Sequence, residues 1–436
     1  MGMLMLALPA LAQPRPLGLM EAINMAVASN VETRVATERI RESEARIQQA
    51  LASLYPTFRF VTSQANRTTN LASLGLAGNA AFPIPFLVGP FYTFDSRVQV
   101  LYTFIDAQSR WKVKSREIGE KIAEVEAAQA RQSVTTMTAL AYLALANAQH
   151  AQTTAHADQA LAEKLLKLAK DRLEQGVVAG IDVTRAESTL KERELTVARR
   201  DEEVRRNRLE LNRLVGLALD TETVLTDDLF PISDKLPNLA ESMAIGATHR
   251  LDVQLAQQQK NQLQADLSAA QAALSPTVGL GADYGFAGNT PGQNVFATHN
   301  VALTLNIPLW DGGEADGREA ELESRIKQAD MKLFDLNIQI EQDIREALLR
   351  LELAAHQVHT ARVSRELAEK ELRMASDRFA NGLTDSLEVS TAQAALTRAL
   401  DAEVQALGQY NLGLVYLGAG IGSPEKIFEA YQGVKP

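Results

Sequence analysis

Two parts of the chain change their hydrophobic period in the same order, from two to about three and a half. After Pro276, the apolar Val278, Leu280, Ala282, Tyr284 and Phe286 alternate with Thr277, Gly279, Gly281, Asp283 and Gly285. After the loop GNTPGQN, Val301, Leu303, Leu305 and Ile307 alternate with Asn300, Ala302, Thr304 and Asn306. Alternation of this kind predicts strands with one apolar and one polar face, here a hairpin of strands at about 277–287 and 299–308. Val98, Val100, Tyr102 and Phe104 repeat the pattern in a strand at about 96–105, and Phe58 and Phe60 open a weaker one at about 57–67 that turns polar through QANRTTN. The uncharged stretch from Thr68 to Phe94 reads as an external loop or as extended strand ends.

From Asp106 to Gly176, and from Asp311 to Gly382, the chain has no Pro, and its few Gly lie near the start of each segment. Each predicts a helix on the order of 100 Å long. Leu161, Leu165 and Leu168, like Leu372, Ala375 and Phe379, show the alternating three and four spacing of a coiled-coil seam. Val183, Ala186 and Leu190, and then Val389, Ala392 and Leu396, carry the seam on the return path. Each long helix therefore turns back on a partner as an antiparallel coiled coil.

The two turns are near copies of one another. DRLEQGVVAGIDVTRAESTL begins at Asp171 and DRFANGLTDSLEVSTAQAAL at Asp377, a constant offset of 206, and Leu54-Tyr55-Pro56-Thr57 recurs as Leu274-Ser275-Pro276-Thr277. Self-similarity on this scale predicts an internal duplication. The first repeat spans 17–216 with a tip turn at 176–182, and the second spans 237–420 with a tip turn at 382–388. Residues 217–236 connect them as an equatorial band around the helices, and 421–436 form a tail. Gly176 and Gly382 fall where helices end in a left-handed residue. Asp385 and Glu388 resemble a capping box with Asp in place of Ser or Thr, and Asp182 lies in a first helical turn, where the dipole favours an acid.

Composition narrows the function. A net charge of -10 argues against a nucleic-acid partner. The absence of Cys removes thiol chemistry, disulfides and an acylated Cys, so no lipid anchor is expected. Residues 1–12, MGMLMLALPALA, read as the remnant of a signal peptide. No later segment is apolar enough to be a membrane helix, so a membrane role must use strands. Ten-residue strands suffice to cross a bilayer in a tilted barrel, but four cannot close one. Copies of the chain would have to complete it, giving eight strands from a dimer or twelve from a trimer. His356 and His359 are three apart on a helix but have no third metal ligand nearby in sequence. GLGADYG lacks the spacing of a nucleotide loop and WDGGEADG that of a calcium loop. No catalytic grouping emerges, and no enzyme activity, cofactor or metal is expected. Trp111 and Trp310, near strand ends, read equally as membrane-interface anchors or as ordinary packing.

Taken together, the doubled pattern, IPLWDGG at 307–313 after a strand, and the tip patterns RLEQGVVAGIDV and RFANGLTDSLEV resemble the outer membrane efflux proteins of the TolC type. The resemblance covers nearly the whole chain, from about Leu19 to about Gly420. It implies an α+β membrane protein in which each chain gives four transmembrane β-strands to a homotrimeric 12-stranded barrel. A long antiparallel coiled-coil α-helical barrel would continue this into the periplasm and close at its tip. The implied function is a passive exit duct of a tripartite efflux or type I secretion system, set in outer membrane lipid and docked to a periplasmic adaptor and an inner-membrane transporter. By position, Asp182 and Glu388 match acidic tip residues of the family, and Asp385 is an additional acid of this chain; these three are the candidate periplasmic gate. Arg172, Gly176, Val177, Arg378, Gly382 and Leu383 form the candidate adaptor-docking tips. Family members often carry a basic residue two after the second tip Gly and an acid three after Glu388, where this chain has Thr384 and Thr391. The alternative reading, a periplasmic coiled-coil scaffold or adaptor without a pore, needs only the heptads; the alternating strands argue against it. The cargo is not encoded in any feature of the sequence.

If the tip acids line a constriction, three symmetry copies make it negative and cation-favouring. Neutralising Asp182, Asp385 and Glu388 together should then reduce cation selectivity in planar-bilayer recordings; an unchanged ion preference would leave these acids as helix caps only.

Overall fold

The computed structural model describes residues 15–74, 85–176, 178–232, 237–381, 383–384 and 386–425. The order helix, helix, strand, strand, helix, helix occurs twice. It runs first as α1 (Leu19–Ser29), α2 (Val31–Leu51), β2 (Thr57–Asn70), β3 (Leu87–Ile105), α3 (Ala107–Glu174) and α4 (Gly180–Val215). It runs again as α5 (Leu239–His249), α6 (Leu251–Gln271), β5 (Thr277–Gly288), β6 (Phe296–Asn306), α7 (Glu314–Ala380) and α8 (Ser386–Gly420). Two short strands, β1 (Arg15–Leu17) and β4 (Thr223–Leu225), stand outside this order. The chain divides into two compact units, one of Arg39–Glu124 and Leu255–Leu333, the other of Met1–Glu38, Val125–Gln254 and Phe334–Pro436.

The first of these units holds a four-stranded antiparallel sheet in the order β2-β3-β5-β6. Register decides which side chains share a face. Phe58 pairs with Val100 and Phe60 with Val98; Val98 pairs with Tyr284, Tyr102 with Leu280, and Leu280 with Leu303. Directly opposed residues point the same way, so these side chains form one continuous apolar face. That face is uncovered: Phe58 is 70% exposed, Val301 69% and Leu303 70%. The opposite face carries Arg59, Gln99, Arg97, Asp283 and Asn300, with Arg97 donating to Asp283 at 2.8 Å and to both carboxylate oxygens of Asp95. Gly285 has a steric reason: a Cβ there would stand 2.3 Å from the Arg97 Cβ directly across the ladder.

Strand β3 begins at Leu87, well before the expected residue 96, and β2 runs through QANRTTN to Asn70. The backbone ladder continues past the end of the apolar alternation, with a register shift between Arg67 and Thr69 absorbing the irregularity. Of the stretch 68–94, residues up to Asn70 and from Leu87 thus extend the hairpin, while Ala72–Leu74 form a short 3-10 turn. Each hairpin then hands over to a helix through an aspartate. Asp106 accepts from the Ser109 N–H at 2.9 Å, and Asp311 accepts from Gly313 and Ala315 N–H groups at 3.0 and 2.8 Å. Backbone donors, first that of Ala315, hold the Asp311 carboxyl below its ordinary pKa.

The core of the second unit is built around Tyr142, Leu145, Leu211, Ile344, Leu351, Tyr410 and Leu414, all essentially inaccessible. The connecting segment after α4 is fastened to it by its short strand, by buried Leu229 and Phe230, and by buried polar side chains. Asn212 accepts from the Thr223 hydroxyl at 2.6 Å and donates to Thr221 O at 2.9 Å, while Asn411 accepts from Phe230 N–H at 2.8 Å. β4 pairs in parallel with β1, and Asp227 just beyond it accepts from Leu19 N–H at 2.7 Å, capping α1 from far along the chain. Gly18 occupies the N-cap position and has no side chain to do this; a Cβ there would lie 3.1 Å from the Asp227 carboxylate. The residues expected to form an equatorial band are those that make these contacts, except 233–236, which lie outside the described residues, as do the proposed signal remnant and most of the tail.

Tyr142 joins these pieces: its hydroxyl accepts from Asp227 N–H at 3.0 Å and donates toward Leu17 O at 3.1 Å. Burial pushes its pKa up to about 12. An unfolded Tyr titrates near 10, so the unfolded chain sheds this proton first and stability falls as pH rises from there toward about 12. Tyr142→Phe should destabilise the protein at neutral pH by about 1–3 kcal/mol, the usual cost of an orphaned buried donor. It should also flatten the alkaline fall in the thermal midpoint; an unchanged alkaline slope would remove Tyr142 from this role.

Candidate functional site

The two helix turns singled out by their repeated sequence both lie in the second unit. At the first, α3 closes as Gln175 N–H donates to Asp171 O at 3.2 Å and Gly176 N–H to Leu173 O at 2.9 Å. Gly176 takes φ 73°, a conformation that a Cβ would strain. Arg172 sits half-buried in the last turn. Helix α4 then starts after Ala179, whose methyl group offers no acceptor. Asp182, three residues on, turns its carboxylate back to accept from Ala179 N–H at 3.1 Å. Only 8% of Asp182 is exposed, and Arg185 stands 3.8 Å from its other oxygen.

At the second turn, Asn381 N–H donates to Asp377 O at 3.1 Å and Leu383 N–H reaches back five residues to Arg378 O at 2.9 Å, a bond of the Schellman type. Leu383 presents its side chain to solvent, 70% exposed. Glu388, in the first turn of α8, receives an ion pair from Arg378 at 3.0 Å and a hydrogen bond from the Thr384 hydroxyl. Thr384 thus engages Glu388 where the family pattern has a basic residue, and Arg378, one turn back on α7, supplies the positive charge. Of the candidate residues, Val177, Gly382 and Asp385 lie outside the described residues.

Behind the turns the helices meet along the seam that their spacing predicted. Leu372, Ala375, Phe379, Val389 and Ala392 are buried together, with Leu161, Leu165, Leu168 and Leu396 packed against them. Among these apolar residues lies a polar cluster that sequence reading missed. Asp158 of α3 pairs with Arg193 of α4 at 2.9 Å and accepts from Gln393 and Thr397 of α8 at 3.2 and 2.9 Å. Its side chain is 7% exposed and that of Arg193 15%. The signal was present: Ala151, Ala155, Asp158 and Ala162 are all buried at four, three and four spacing, so an acid occupies a seam position. Lys170 to Glu187 at 3.2 Å ties α3 to α4, and Arg200 to Asp401 at 3.5 Å ties α4 to α8.

No other chemistry gathers here. His356 lines an open groove with Glu203, Asn147 and Gln405, and among the described residues no group of three or more His, Asp or Glu could hold a metal ion. No described helix is long and apolar enough to cross a membrane.

The outer membrane efflux protein family model matches residues 22–217 and 247–423. The chain belongs to the outer membrane efflux protein family. No curated protein matches it in sequence. Solved structures with the same fold include the outer membrane protein VceC of Vibrio cholerae, at 20% identity and TM-score 0.77, covering 93% of this chain and 96% of that one. The CmeC outer membrane channel of Campylobacter jejuni aligns at 17% identity and TM-score 0.76, over 95% of this chain and 89% of its own. The open state of the MtrE outer membrane channel of Neisseria gonorrhoeae aligns at 17% identity and TM-score 0.74, over 93% and 89%. Family membership places the protein in the outer membrane, in a family of efflux proteins.

Removing one partner of a buried ion pair leaves the other charge uncompensated, at a cost of about 3–5 kcal/mol. Asp158→Ala should therefore lower the thermal midpoint strongly, and adding Arg193→Met should restore much of the loss. If the double variant is no more stable than the single one, the pair carries no such coupling.

Proposed function

We propose that this outer membrane efflux protein is one protomer of a homotrimeric, passive exit duct. The observation that carries the reading is the sheet. It has four strands, an uncovered apolar face, an opposite face rich in polar residues and glycine, and two edge strands, β2 and β6, that each have one neighbour among the described residues. In hydrocarbon every backbone donor and acceptor needs a protein partner. The edges are satisfied when β6 of one protomer pairs with β2 of the next, and three copies give a 12-stranded barrel. Strand β6 has 11 residues, the length needed to cross a bilayer at a tilt. Exposed Leu309 and Trp310 just beyond it suit the interface layer, where aromatic side chains anchor.

In this reading the helices continue the duct into the periplasm and their two turns form its closed tip. Asp182 and Glu388, with Asp385, gate that tip, and Arg172, Gly176, Val177, Arg378, Gly382 and Leu383 meet a periplasmic adaptor that links the duct to an inner-membrane transporter. The chain would then supply a path and its partners the energy. The family assignment supports export in general, and the choice between a tripartite efflux and a type I secretion system belongs to those partners.

The absence of Cys makes the trimer directly testable. Single cysteines on the polar faces of β2 and β6, such as Arg59→Cys combined with Thr304→Cys and neighbouring pairs in register scan, should give covalent trimers on denaturing gels after oxidation. The purified oligomer should show discrete conductance steps in a planar bilayer. Monomers in every pair, together with an electrically silent inserted protein, would turn the reading toward a poreless coiled-coil scaffold.

A further inference from the structure

Four cations converge on one groove in the unit that holds the sheet. Arg46 of α2, Lys112 and Arg116 of α3, and Arg318 of α7 line an open cavity of about 930 Å³, in which Asp266 of α6 is the one acidic lining residue. This is a positive site on a chain whose net charge is -10. Arg46 and Arg318 each hold an acid on their own helix, Glu42 at 2.6 Å and Glu321 at 3.0 Å. Exposed pairs of this kind are worth little and are readily exchanged for a better anion. Lys112 and Arg116 have no ion-pair partner among the described residues. The remaining lining includes Gln108 and Ser109, which add polar groups where α3 begins.

The location selects the kind of anion. Gln108 follows the end of β3 at Ile105 within a single turn, and Arg318 lies in the opening turns of α7. The groove therefore opens beside the end of the sheet at Ile105, near the exposed Trp111 of α3 and Leu309 and Trp310 just past β6. Lys112, five residues into α3, stands about 8 Å along the helix axis from its start. That depth matches the polar headgroup layer, about 5–8 Å thick on each side of the hydrocarbon. Basic pockets at this level capture phosphate-bearing headgroups. We propose that this groove binds the phosphate of an anionic lipid headgroup at the membrane surface. The assignment rests on the reading of the sheet as membrane-spanning.

The test compares the parent with Lys112→Gln/Arg116→Gln/Arg318→Gln, as intact oligomers, for retention of phosphatidylglycerol and phosphatidylcholine by native mass spectrometry. The parent should retain the anionic lipid preferentially, and the triple variant should lose at least about tenfold of that retention, since each surface cation contributes roughly a factor of five. Lys112→Arg/Arg116→Lys should keep it. Equal retention by parent and triple variant overturns the proposal. So does a parent that binds inorganic phosphate through these residues while showing no lipid preference, which would make the groove a site for free anions. Flotation of the same samples with phosphatidylcholine vesicles separates the two readings. If neither protein inserts, the membrane-spanning sheet fails; if both insert and lipid retention is equal, the groove proposal fails alone.

Discussion

Backbone hydrogen bonding in a medium without water is the constraint on which the rest of this protein depends. A helix meets it alone; a sheet meets it only when it has no edge. This chain places four strands in one sheet and leaves apolar side chains uncovered on one face. Those side chains need lipid, and lipid forbids the open edges of β2 and β6. The proposed trimer resolves that conflict, and it explains why so much apolar surface is tolerable on a single chain. Phe58, Val301 and Leu303 would be aggregation hazards on a soluble monomer. The polar face follows from the same arrangement, because Arg97 and Asp283 satisfy each other beneath strands that glycine lets approach closely.

The junctions from strand to helix show how local chemistry serves this constraint. A chain leaving a sheet for a helix exposes the first four N–H groups of the helix. Asp106 meets them from one residue before α3 and Asp311 from three residues before α7, where two successive glycines at φ 78° and 91° bend the chain so that the carboxylate can reach. In α1 and α4 the N-cap residues are Gly18 and Ala179, neither with an acceptor, so the acid comes from elsewhere: Asp227 from a distant segment, Asp182 from within the helix. The same requirement is met by three different routes, only some of them visible in local sequence.

What could be read from sequence was what periodicity expresses. Leu161, Leu165, Leu168, Leu372, Ala375, Phe379, Val389, Ala392 and Leu396 follow the predicted spacing and pack together, whereas Val183, Ala186 and Leu190, expected to carry the seam of the first hairpin, are only half-buried and stand outside that cluster. The four strands are legible in their alternation, but the start of β3 at Leu87 is not, because the pairing with β2 resumes beyond the register shift at Gly89 and Pro90 where the apolar alternation has already stopped. The polar anchors were also hidden. Tyr142, Asn212 and Asn411 are common residues whose importance lies in partners that no local window includes, such as Asp227 and Phe230. Asp158 is hidden differently: it occupies a seam position whose spacing otherwise marks apolar residues. At the tips, the repeat identified Asp182 and Glu388, but not that their charges have separate partners.

Those partners differ in what they connect. Asp182 caps its own helix and Arg378 pairs with Glu388 across the turn between α7 and α8, while Lys170 and Glu187 join α3 to α4. Each of these contacts lies within a single hairpin, the first and third in α3/α4 and the second in α7/α8, and would survive movement of that hairpin as a rigid body. The bonds from Asp158 to Gln393 and Thr397, and the pair of Arg200 with Asp401, run from one hairpin to the other. If the tip opens by the two hairpins parting, the tip acids travel with their partners and their local pairs cost nothing to keep. The work of opening then falls on the Asp158 cluster, on the Arg200–Asp401 pair and on the packing of Leu161, Leu165 and Leu168 of α3 against the apolar cluster of α7 and α8. Because Asp158 also holds Arg193 on the neighbouring helix of its own hairpin, its charge stays paired when the cross-hairpin bonds break. A polar link of this kind fixes register between the hairpins yet can be released without leaving a bare charge in the core.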